Sequence, residues 1–133
     1  SDGAAAALIV APRDSGYIRM DGHETFKRAV VTLASNAAET VAANGLELDD
    51  IALFVLHQAN GRILSAVAET LDVDPERVLD VIGDLGNTSA ASIPLALLEA
   101  RRRGLLAEGD HVLLGAVGAG FTWGATVVQW GQP

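Results

Sequence analysis

The chain of 133 residues contains no cysteine. That absence excludes disulfides, thiolate zinc sites and a cysteine nucleophile within this sequence, and it says nothing about secretion. Cations are scarce: 9 lysines plus arginines stand against 17 aspartates plus glutamates, a net charge of 9 − 17 = −8. A nucleic-acid partner is therefore not expected, because phosphate binding needs a basic face; an acidic protein can still carry a local basic patch. Long hydrophobic runs are missing as well, the apolar stretches at 4–11 and 51–56 being far short of the ~18 residues a membrane span requires. The acid at Asp2 stands where a signal peptide would carry positive charge. The expectation is a cytoplasmic protein with no membrane partner. His23 and His111 have no metal-ligand partner at recognisable spacing, so no metal site is expected.

What is present is apolar. Half the residues are hydrophobic, and the length suits one domain, 1–133, with a sizeable core. The run 4–11, stopped by Pro12, reads as a buried strand, with a turn at Arg13-Asp14-Ser15-Gly16 and a short second strand over 17–20. Asp21-Gly22 then caps a long helix to about Ala43, in which Phe26, Val30, Leu33, Ala37 and Val41 form one stripe. Asn44-Gly45 ends it in the manner of a left-handed cap. Residues 51–56 read as a central strand, 61–71 as a helix with Ile63, Leu64, Val67 and Leu71 on one side, and Asp74-Pro75-Glu76 as a helical turn. A helix over 89–103, closed by Gly104, precedes two strands, 111–117 and 121–130, joined by Gly118-Ala119-Gly120. Strands alternating with helices argue for a layered α/β domain, one mixed sheet with helices on both faces.

Two polar turns carry the chemistry. His57-Gln58-Ala59-Asn60 follows the strand at 51–56, and Gly86-Asn87-Thr88-Ser89 arrives thirty residues after the histidine. An imidazole at a strand end can meet a carboxamide at a helix start, giving two donors aimed at one point. Taken alone, His57 would be a core histidine satisfied by backbone, and Asn87 a helix cap.

Together with Gly22-His23-Glu24-Thr25-Phe26-Lys27, Asp2-Gly3-Ala4, Asn60-Gly61-Arg62, Ser89-Ala90-Ala91-Ser92-Ile93-Pro94 and Gly118-Ala119-Gly120-Phe121-Thr122-Trp123-Gly124, these turns resemble the β-ketoacyl-acyl carrier protein synthases III. These are condensing enzymes of the thiolase fold, and the likeness covers the C-terminal half of such an enzyme. It implies that the N-terminal half, which bears the acylated cysteine, lies outside this chain. Between 12 and 20 the sequence is shorter than the extended segment usual in the family.

The resemblance implies a decarboxylative Claisen condensation of an acyl group from acyl-CoA with malonyl-acyl carrier protein, in a fatty-acid or a polyketide pathway. No cofactor is implied. His57 and Asn87 would stabilise the enolate, and the amide of Ala119, where the family often has glycine, would join a second oxyanion hole. Asn60 would contact the pantetheine or coenzyme A arm. Lys27, Gln58 and Arg62, with Arg28 nearby, would dock the acidic carrier protein. The complete enzyme would be a homodimer. Two alternatives remain open: an acyltransferase of the same fold that moves an acyl group to an alcohol or amine without decarboxylation, and a non-catalytic domain that binds carrier protein or a partner subunit.

Overall fold

The computed structural model describes residues 3–14 and 16–131. Asp2 of the first motif and Ser15 of the first turn lie outside the described residues. A 3-10 turn, Gly3–Ala5, leads into β1 (Ile9–Val10), which pairs antiparallel with β2 (Arg19–Met20) in a small separate sheet. The strand expected over 4–11 is thus realised for two residues only. Its physical reason is a lack of partners: the only ladder the segment finds is the two-residue β2, and the core sheet is built elsewhere. Tyr17, Ile18 and Met20 on this hairpin are exposed.

Helix α1 (Gly22–Ala43) begins where Asp21 Oδ1 accepts the Glu24 amide at 3.1 Å, and of the expected stripe it buries Val30, Leu33, Ala37 and Val41, joined by Ala29 and Ala34, with Phe26 only partly buried. At its end the Gly45 amide donates to Ala42 O and the Leu46 amide to Val41 O. This Schellman arrangement needs positive φ at the residue after the cap, and Gly45 has φ +71°. Strand β3 (Ile51–Leu56) follows, then α2 (Gly61–Leu71), a 3-10 turn (Pro75–Arg77), the four-residue α3 (Ile82–Leu85), a 3-10 turn (Ser89–Ala91), α4 (Ser92–Arg102), β4 (His111–Gly118) and β5 (Thr122–Gln129). α3 was not expected from sequence; its four residues are too few to show a periodicity.

The main sheet runs in the order β3, β4, β5, with β3 parallel to β4 and β5 antiparallel to it. On its other side β3 meets the chain through a single parallel bridge from Phe54 to Val78, so it is flanked twice and wholly buried apart from Ala52. Helices cover both faces, as expected. Phe54, Leu56 and Leu113 pack under α1 and α2, while Leu53, Val55 and Val112 pack against Ala96 and Ala100 of α4. Ile51 breaks the alternation by joining Phe54 and Leu56. A register shift between Ile51 and Leu53 turns it to that face.

Direction follows from connection. α1 reaches β3 through 44–50, β3 reaches α2 through 57–60, and α4 reaches β4 through 103–110, so all three helices run against the parallel strands. Their N-termini therefore gather at the carboxyl ends of β3 and β4, where open α/β sheets hold their ligands.

Gly115 marks a close approach within the core. A Cβ there would lie 2.9 Å from Leu56 Cδ2, with Leu113 and Leu33 next nearest. Gly115→Ala should therefore destabilise the domain by about 1–3 kcal/mol through overpacking; a urea midpoint equal to that of the parent chain would contradict this packing.

Candidate active site

His57 sits one residue beyond β3, and its backbone amide extends the sheet ladder by donating to Gly115 O at 2.8 Å. The half-buried imidazole lines a cleft of about 410 Å³, together with Ser89, Ser92 and Ile93 of the α4 approach, Val117 of β4 and Trp123 of β5. Its Nδ1 lies 2.6 Å from the Ser92 hydroxyl. Burial disfavours the charged ring and lowers the His57 pKa from its ordinary value, so the imidazole is neutral near pH 7.

Gln58 points the other way. Its side chain is buried, with Nε2 donating to Leu56 O at 2.8 Å and to Leu79 O at 3.0 Å, and Oε1 accepting the Val81 amide at 2.9 Å. The expected role in carrier-protein docking is corrected here: a side chain with its donors and acceptor spent inside the fold has nothing left for a partner. It staples the end of β3 to the segment that leads into α3.

Asn87 is exposed and does not line the cleft, although Ser89 and Ala90 immediately after it do. Its Oδ1 accepts the Ser89 amide at 3.0 Å, which leaves the NH₂ as the group presented outward. Ser89 itself has φ +55°, an uncommon conformation for a residue with a side chain, and such strain gathers at functional turns. So the structure brings His57 and the turn after Asn87 into one cleft, with the carboxamide just outside its lining.

Residues 41–130 match the family described as 3-oxoacyl-[acyl-carrier-protein] synthase III, C terminal. The chain belongs to that family. It is 48% identical over 130 residues to a beta-ketoacyl-[acyl-carrier-protein] synthase III 2 of Streptomyces coelicolor, covering 98% of this chain and 39% of the relative. With a synthase III of Rhodospirillum centenum it shares 54% identity over 115 residues, 86% of this chain and 36% of that one. The crystal structure of 3-oxoacyl-(acyl carrier protein) synthase III from Pseudomonas aeruginosa superposes with a TM-score of 0.94 at 41% identity, over 99% of this chain and 42% of that chain. The chain thus spans well under half the length of the synthases it matches, and its fold is that of a synthase III.

Within this synthase III domain, Asn60 caps α2, its Oδ1 accepting the Arg62 amide at 2.9 Å, and it is exposed near the same sheet end. Lys27 and Arg62 are exposed in the early turns of α1 and α2, hence on the same side of the molecule as His57. Arg28 is engaged by Glu24 at 3.3 Å. Ala119 lies in the turn between β4 and β5, next to Gly118, which lines the cleft. No group of three or more metal-ligating side chains occurs among the described residues.

Sequence reasoning missed Ser92. Its signal was there: Ser92, Ala96 and Ala100 recur every four residues on the buried face of α4, so a hydroxyl occupies a core position where only small residues fit. Trp123 and Ile93 stand within the motifs, but nothing in the sequence assigns them to a cleft.

Two expectations follow. Because the unfolded imidazole binds a proton more tightly than the folded one, stability should be level above about pH 6.5 and should fall as pH drops from there through the lowered folded pKa. An NMR titration of His57 with its midpoint at or above that of free histidine would refute this. Gln58→Ala strands two carbonyls and one amide, so it should cost about 2–4 kcal/mol in denaturant unfolding; an unfolding midpoint equal to the parent's would contradict the staple.

Proposed function

We propose that the chain supplies the histidine and asparagine of a β-ketoacyl-acyl carrier protein synthase III active site, the acylated cysteine coming from a region outside it. The observation that carries this reading is the His57 imidazole, neutral, lining a cleft at the carboxyl end of the sheet and anchored through one nitrogen, so that the other is offered to a ligand.

In the proposed reaction, the malonyl thioester of the carrier protein loses carbon dioxide, and the electron pair of the broken bond passes to the thioester oxygen as an enolate. His57 donates to that oxygen, and the Asn87 NH₂ supplies a second donor. Neither group needs to reorganise, because one is held by Ser92 and the other by the Ser89 amide. The enolate carbon then attacks the acyl-cysteine carbonyl, the new oxyanion is met by the Ala119 amide, and collapse expels the thiolate and leaves 3-oxoacyl-carrier protein. Asparagine suits the site at any pH, since an ionised aspartate would repel the enolate.

The remaining residues fit partners of the same chemistry. Lys27 and Arg62, exposed in the early turns of their helices, offer positive charge to an acidic carrier protein, and Asn60, exposed at the start of α2, is suited to the pantetheine arm of carrier protein or coenzyme A. Tyr17, Ile18, Met20, Val31 and Leu98 are exposed, more apolar surface than a lone domain needs, which fits burial by the cysteine-bearing region and by a second copy in a homodimer. On this reading the protein acts in the cytoplasm without nucleic acid or membrane as partner. No helix among the described residues is long and apolar enough to cross a membrane.

In the enzyme completed by its cysteine-bearing region, Asn87→Ala should lower the rate of malonyl decarboxylation roughly 10²- to 10³-fold while acylation of the cysteine persists. Carbon dioxide release at the parental rate would end the condensing reading; its absence in the parent enzyme would favour acyl transfer to an alcohol or amine.

A further inference from the structure

Only two polar residues among the described ones are fully buried, Gln58 and Ser92, and they touch. The Gln58 backbone amide lies 3.3 Å from Ser92 Oγ, on whose other side stands His57 Nδ1 at 2.6 Å. A hydroxyl has one hydrogen and two lone pairs. The amide can only donate, so it occupies a lone pair. Among the described residues Ser92 Oγ makes no further hydrogen bond, so the hydroxyl hydrogen has one destination, His57 Nδ1. If Nδ1 carried a proton instead, that buried hydroxyl hydrogen would go unsatisfied, an arrangement folded proteins avoid.

We propose that Ser92 is a positioning residue that holds His57 in the tautomer protonated on Nε2, so that the ring nitrogen offered to the cleft is a hydrogen-bond donor. The chain of control starts in the backbone: the Gln58 staple fixes its own amide, the amide orients the serine hydroxyl, and the hydroxyl selects the imidazole tautomer. An acceptor nitrogen in the cleft would repel an enolate oxygen, and a donor stabilises it; this use of the donor rests on the condensing reading, whereas the tautomer itself does not. Ser92 is the first residue of α4, on the buried face that continues with Ala96 and Ala100, and this places its hydroxyl beside the strand end.

The test uses the complete protein, labelled with ¹⁵N-histidine, above the pH at which imidazole titrates, with His23→Gln and His111→Gln variants to assign the signals. His57 should show a protonated Nε2 and a bare Nδ1. Ser92→Ala should give a mixture of tautomers and lower kcat for condensation roughly tenfold with little change in KM for malonyl-carrier protein, the lower end of the loss found when the group orienting a metal-bound histidine is removed. Ser92→Cys, which keeps a hydrogen to donate on a side chain of similar size, should shift both back toward the parent. A protonated Nδ1 in the parent protein, or a tautomer indifferent to Ser92→Ala, would overturn the proposal. Nitrogen signals that respond as expected, together with malonyl decarboxylation untouched by His57→Ala, would uphold Ser92 and sink the condensing reading instead.

Discussion

The site hangs from the last turn of β3. There a buried strand must stop and expose a side chain without leaving its final polar groups unsatisfied, since an unpaired buried amide or carbonyl costs as much as a lost hydrogen bond. The chain answers with two successive residues used in opposite directions. His57 continues the ladder through its amide and turns its ring to the cleft, while Gln58 turns inward and satisfies Leu56 O, Leu79 O and the Val81 amide. Because alternate residues of an extended segment face opposite ways, one cannot be re-aimed without the other.

That constraint reaches the rest of the molecule through packing. Leu56, just before the histidine, lies against Gly115 of β4, where any side chain would press on it, so the strand end and the neighbouring strand are set at a close approach. α4 comes near enough for Ser92 to touch both His57 and Gln58 only because its buried face carries serine and alanines. A neutral ring results from the same crowding. Burial and the Ser92 contact, rather than a charged neighbour, set the state of the imidazole. On the proposed reading the ring then acts as a donor, and an acidic chain needs no nearby cation to hold developing negative charge.

Much of the architecture was legible in the one-dimensional pattern. α1, β3, α2 and the β4–β5 pair form where periodicity and turn residues place them, since each has enough apolar residues at one spacing to bury a face whatever its neighbours. The segment 4–11 shows the limit. Its run of apolar residues has strand character, but a strand needs a ladder, and β2 offers only two residues to pair with. Ile51 shows a subtler one, because a register shift is invisible in a sequence whose every residue from 51 to 56 is apolar.

The functional residues divide the same way. Their types and order, histidine with asparagine thirty residues on, are properties of the chain, and with the neighbouring motifs they sufficed to mark the family. Which way each side chain faces belonged to the fold alone. Gln58 and Arg62 look alike as polar surface residues in sequence, yet one is sealed in the core and the other is exposed, and Ser92 became the partner of His57 only when α4 was laid across the strand end. Residue identity sets what a group can donate or accept; whether water or a neighbour takes up that capacity depends on contacts between segments far apart in the chain.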